Sequence, residues 1–188
     1  MARMSLPALD RMTPEQRSVH DEAAGGLRGH APAQLAAWIC NPEFARRAQK
    51  LGELLRYQTS LPPRLSELAI LVTARHWSAH YEWKVHRQAA LNAGLPEAAI
   101  AAIAAGTIPT FESEAEQVAF AVSTSLLTTH AVPDLLYQDA MRVLGETGLV
   151  DLIGVLGYYG LVSMTLNTFE IGLPDNLQAE LTPQGAGA

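Results

Sequence analysis

Few stretches of this chain alternate apolar with polar residues, and Ala and Leu dominate it, so the pattern predicts an all-α protein. Helix punctuation is frequent. Thr13-Pro14-Glu15-Gln16 reads as an N-cap, a proline at the first helical position and a capping-box glutamine, opening a helix that ends near Gly25-Gly26. A short helix over 32–38 follows, and Asn41-Pro42 starts another that runs to Tyr57. After the break at Leu61-Pro62-Pro63, a helix over 64–78 is apolar at Leu65, Leu68, Ile70, Leu71 and Ala74. The next covers 81–92 and stops at Gly94, a C-cap glycine, before an Ala-rich helix that ends at Gly106. Residues 107–110 form a linker, and Ser113 with Glu116 has capping-box spacing. Helices over 114–128, 133–147 and 148–169 complete the pattern.

These breaks are too brief to separate domains, and 188 residues suit a single one spanning 1–188. Its core covers about 42–174, with a loose Pro/Gly-rich tail over about 172–188. The segment 152–169 has no charge and reaches the lower length limit for a membrane span. It also carries Gly154, Gly157 and Gly160, whose spacing suits close helix packing, so it is expected to be a buried core helix and no membrane partner is expected.

A net charge of -6 without a long basic run argues against nucleic acid as a partner, since phosphate binding needs clustered Lys and Arg. The only cysteine, Cys40, excludes an intramolecular disulfide and a Cys-pair metal or dithiol site; a small buried hydrophobe is its expected role. The first residues contain no apolar signal-peptide core, and a cytoplasmic location is expected.

Candidate chemistry concentrates in 64–95, where Glu67, His76, His80, Glu82 and His86 stand among apolar residues. Glu82 and His86, four apart, share a helix face. They read either as a tunable proton-transfer pair or as an ordinary surface pair. Glu67 lies inside an apolar stretch. It is either buried, and then neutral or paired with Glu82 or His86, or turned to solvent beside Arg64 or Arg75. His76 and His80 have HxxxH spacing but lack a third ligand at a firm spacing and the HExxH arrangement, so no metal is expected. Trp77, His80, Tyr81 and Trp83 are candidate pocket walls, with core or interface packing the alternative for the aromatic residues. Neither a Gly-rich phosphate loop nor a GxSxG elbow is present, and no cofactor is expected.

Glu67, the run Ala79-His80-Tyr81-Glu82-Trp83, His86, and Ala89-Ala90 leading to Ala93-Gly94-Leu95 resemble the core of the carboxymuconolactone decarboxylase and alkylhydroperoxidase-D-like superfamily. The later Gly157-Tyr158-Tyr159 and Asn167 share that look. The resemblance implies a compact helical bundle of the alkylhydroperoxidase-D-like type that assembles as a homo-oligomer, a trimer or hexamer. Peroxidase members carry a CxxC pair; aligned on His86, its positions fall on Ala79 and Glu82, so the relay glutamate and histidine remain without either sulfur. Thiol-based peroxide reduction is therefore disfavoured.

The decarboxylase branch, with Glu-x-x-x-His here, is the better match. It implies cofactor-independent decarboxylation or proton transfer on a small carboxylate or lactone. His86 would be the principal acid or base, Glu82 its orienting partner and Glu67 a relay. Arg75 or Arg87 is a candidate for binding a substrate carboxylate, while Lys84 points off the shared face. A peroxidase-type antioxidant protein and a non-catalytic helical binding module are the alternatives.

Overall fold

The computed structural model describes residues 2–173 and 178–181, and among these there are helices and no strand. A 3-10 turn at Leu9–Arg11 precedes α1 (Pro14–Gly25), α2 (Leu35–Trp38), α3 (Pro42–Tyr57), α4 (Pro63–His76), α5 (His80–Asn92), α6 (Glu97–Ala105), α7 (Glu114–Thr129) and α8 (Asp134–Thr168). The all-α expectation holds, as do most boundaries. Thr13 and Gln16 form the reciprocal capping box, with Thr13 Oγ1 accepting from the Gln16 N–H at 3.3 Å and Gln16 Oε1 accepting from the Thr13 N–H at 3.0 Å. Asn41 caps α3 by accepting from the Phe44 N–H at 3.2 Å. Gly94, at φ 87°, ends α5 as a C-cap glycine.

Helix α4 is the axis of the fold. Every residue from Leu65 to Arg75 is buried, so it has no solvent face, and α5, α6, α7 and α8 pack around it. Helix α3 instead buries one stripe, Ala45, Ala48, Gly52 and Leu55, at helical spacing. Small residues there let α8 come close. The Gly52 backbone lies directly against the Tyr158 ring, and a β-carbon on Gly154 would stand 2.8 Å from Leu55 Cδ2. Gly157, by contrast, faces open space, so the glycine spacing in this segment serves packing only in part. Gly52→Val should destabilise the fold by about 1–3 kcal/mol, because Tyr158 is buried and its ring must move; urea denaturation checks this.

Three features depart from the sequence pattern. Ser113 makes no capping bond, because Glu116 turns inward instead and forms an ion pair with Arg64 at the start of α4. A buried carboxylate is better served by a guanidinium than by one backbone N–H. The two helices expected to meet at residues 147 and 148 are arms of one element, kinked earlier at Gly145, which adopts φ 71° and ψ 174°. Gly148 lies within the second arm, against Leu144 and Leu61. Cys40 is exposed, not buried.

Helix α8 is long and apolar enough to cross a membrane by length and composition, but 61% of its apolar window is buried within the protein. That is the behaviour of a core helix. Of the expected loose tail, 174–177 and 182–188 lie outside the described residues. The stretch 178–181 packs on α5: Leu181 is buried, and Glu180 accepts hydrogen bonds from the Trp83 indole at 3.2 Å and Lys84 at 2.7 Å.

Candidate active site

The chain reverses between α4 and α5 within three residues. Ser78 takes a left-handed conformation (φ 49°) and the Ala79 N–H donates to the Ala74 carbonyl at 2.8 Å, so the turn closes as a Schellman-type cap without glycine. The reversal lays α5 along α4 and brings Glu67 opposite His86, nineteen positions later.

Three buried side chains meet there. His86 Nδ1 lies 2.6 Å from Glu67 Oε2, and His86 Nε2 lies 3.2 Å from Glu82 Oε2. Side-chain exposures are 1% for His86, 10% for Glu67 and 7% for Glu82, which decides between the readings left open by sequence: this is no surface pair, and Glu67 does not point to solvent. Ionised carboxylates only accept hydrogen bonds, so the arrangement is satisfied when both imidazole nitrogens carry a proton and donate. Burial pushes the imidazole towards its neutral form, but the hydrogen bonds and charges of Glu67 and Glu82 outweigh it, and the His86 pKa is raised.

This has a consequence for stability. The His86 pKa is higher folded than unfolded, so the stabilisation it contributes is complete below about pH 6.5 and is lost as pH rises through the folded value. Urea midpoints measured from pH 6 to pH 9 should decline in the wild type and decline less in His86→Gln.

A cavity of about 220 Å³ opens onto the triad and is lined by Glu82, His86, Tyr81, Tyr159, Arg56 and Arg28, among others. Glu67 does not line it, so Glu82 and His86 form the face towards the cavity and Glu67 stands behind. The Tyr159 ring packs edge-on against His86, with centroids 4.8 Å apart. Its hydroxyl is buried without a hydrogen-bond partner among the described residues. Burial raises the Tyr159 pKa well above the usual phenol range, so it stays a neutral donor. Burial disfavours the charge on Arg56, but Tyr159, Tyr57, Glu67 and Glu82 face it, and the net effect holds its guanidinium protonated.

Of the residues singled out in sequence as pocket walls, Tyr81 lines this cavity; Trp77, His80 and Trp83 do not. Trp83 is a core residue whose indole N–H donates to Glu180. The Trp77 carbonyl accepts from the Asn167 amide at 2.7 Å, and half-buried His80 begins α5. Among the described residues, His76, His80 and Glu82 do not converge as a metal-ligand set. Arg75 and Arg87 also lie elsewhere: Arg87 pairs with Glu97 and Glu180, and Arg75 borders a different cavity.

The cations at the triad are Arg56 and Arg28, which sequence reasoning missed. An arginine in the last turn of a helix is ordinary, and Arg28 sits in an irregular segment, so neither carries a sequence signal. With His86 protonated and Glu67 and Glu82 ionised, these groups sum to one net positive charge, which suits an anionic guest of one charge.

Residues 42–125 match the family model described as the carboxymuconolactone decarboxylase family. That segment contains Arg56, Glu67, Glu82 and His86, while Arg28, His30, Pro32, Ala33, Gln34 and Tyr159 of the cavity wall come from outside it. No curated protein matches the chain.

Proposed function

We propose that this chain, whose residues 42–125 match the carboxymuconolactone decarboxylase family model, is an acid–base enzyme that decarboxylates, or moves a proton on, a small carboxylate or lactone. The observation that carries this reading is His86 held between two carboxylates, one of which faces a cavity that also presents two arginines. Both His86 nitrogens are engaged, so the proton reaches the substrate through Glu82. Arg56, Arg28 and the free Tyr159 hydroxyl hold the substrate's oxygens.

In decarboxylation, the bond from the reacting carbon to the carboxylate breaks and CO2 leaves. The electron pair remains as a dienolate, and its oxygen charge is stabilised by Arg56 and Tyr159. Glu82, protonated from His86 Nε2, then delivers its proton to the carbon. His86 regains a proton from solvent, so one proton is consumed per CO2 released. Proton transfer of this kind contributes about 10²- to 10⁴-fold, and positioning by the arginines supplies much of the rest.

Arg56→Gln should raise KM for such a substrate roughly tenfold or more, because a charge-assisted hydrogen bond is worth about 1.5–3 kcal/mol. Steady-state kinetics check this. The reaction itself is tested by CO2 release from a panel of carboxylated lactones and β-keto acids: release by wild type and loss in Glu82→Gln support it, and no release from any member refutes decarboxylation. In the same panel, exchange of substrate carbon-bound hydrogen in deuterated water reports proton transfer without CO2 loss. Cys40 is exposed and does not line the cavity, which gives a thiol peroxidase reading no support.

The reading includes assembly into a homo-oligomer. Val150, Ile153 and Met164 of α8 are exposed at 67%, 49% and 44% along one face, an apolar stripe that a second copy would cover. Light scattering tests it. A cytoplasmic setting fits an exposed lone thiol, which a reducing compartment keeps free.

A further inference from the structure

A second cavity, of about 600 Å³, lies between α4, the 106–111 connection and α7, and shares no lining residue with the cavity at Glu82. Its volume is in the range of small-molecule sites. Ile103, Phe111, Phe120 and Leu127 give it apolar walls, with the Phe111 and Phe120 rings 5.7 Å apart. Its polar character is one-sided. Arg75 and His76 line it, Thr124 and Ser125 add hydroxyls, and no Asp or Glu is among its lining residues, in a chain of net charge -6. The Thr124 hydroxyl is buried without a hydrogen-bond partner among the described residues.

The position of Arg75 follows from Gly106. Gly106 ends α6 at φ 71°, and its missing side chain lets the guanidinium lie against the backbone: a β-carbon there would be 3.5 Å from Arg75 Nη2. Arg75 makes contacts within the protein. A guanidinium carries five N–H donors, so it can serve a ligand oxygen alongside them. Low-dielectric walls strengthen its field in the cavity, and nothing acidic on the wall opposes it.

From this one-sided wall we infer that the cavity is a second ligand site, which takes an amphipathic monoanion such as a medium-chain acyl or aryl carboxylate. The carboxylate binds at Arg75 and Thr124, and the apolar part lies against Ile103, Phe111 and Phe120. This assignment does not depend on the reaction at Glu82.

The test is isothermal titration of the full chain with octanoate and with octanol, which share an apolar tail and differ in charge. Octanoate is expected to bind roughly tenfold or more tightly than octanol, the difference a charge-assisted hydrogen bond makes. Ala121→Phe, which fills the cavity from α7, should abolish binding of both. Arg75→Met should make the two ligands equal, and Glu82→Gln should leave octanoate binding unchanged. Equal affinity of wild type for the two ligands, no octanoate binding, or undiminished binding in Ala121→Phe would each overturn the assignment. The wild-type comparison and Ala121→Phe decide the matter even if Arg75→Met does not fold.

Discussion

His86→Ala is expected to remove turnover and to destabilise the fold by about 3–5 kcal/mol, the range for breaking a buried ion pair by deleting one partner. The substitution leaves Glu67 and Glu82 facing a void where the imidazole stood, with both carboxylates at most 10% exposed and no replacement donor. Two effects combine. Loss of the acid–base group lowers kcat by about 10²- to 10⁴-fold, and the stranded carboxylates lower the urea midpoint. The stability part should partly recover in His86→Ala/Glu82→Gln, where one carboxylate is no longer stranded. It should also be less than additive with Glu67→Gln, since the residues act as one unit. A variant with wild-type stability at neutral pH would show that His86 does not carry charge between its neighbours.

Arg64→Ala is the second large effect. Glu116 has a side chain only 2% exposed, and Arg64 is its ion-pair partner. Deleting the guanidinium strands a buried carboxylate, for a loss of about 3 kcal/mol, near the lower end of the buried-pair range because Arg64 itself is 37% exposed. The double variant Arg64→Ala/Glu116→Leu should recover much of that loss, because no charge then remains to be stranded. Chemical denaturation of the three proteins makes the cycle. The pair also ties the start of α4 to α7, so Arg64→Ala should loosen amide protection at the first turn of α4.

The sequence shows the α-helical class because punctuation is local. Thr13, Asn41 and Gly94 act within their own turn, and each does in the fold what its spacing implies. Local signals fail where a distant group competes. Ser113 with Glu116 has the spacing of a capping box, yet Arg64, about fifty positions earlier, claims the carboxylate. The sequence pattern puts the break before Gly148, but the kink falls at Gly145, and Gly148 stays helical against Leu144 and Leu61.

The candidate site divides in the same way. The i,i+4 spacing of Glu82 and His86 survives into three dimensions because one helix carries both. Glu67 joins them through the α4–α5 reversal, which an apolar stretch followed by a short turn makes visible. Arg28, Arg56 and Tyr159 come from three other segments, and only tertiary packing gathers them at the cavity. Proximity in sequence misled for Trp77 and Trp83, neither of which lines the cavity at the acid–base pair although they lie near it along the chain.

The most direct measurement is nitrogen NMR of the protein with labelled histidine, with His86 assigned by its loss in His86→Gln, recorded at pH 6.5. An unperturbed imidazole is half protonated there. Protonation of both His86 nitrogens in more than half of the molecules, falling in Glu82→Gln, is the predicted result. A neutral His86 ring at that pH, or one indifferent to Glu82→Gln, would contradict a proton relay through Glu67, His86 and Glu82.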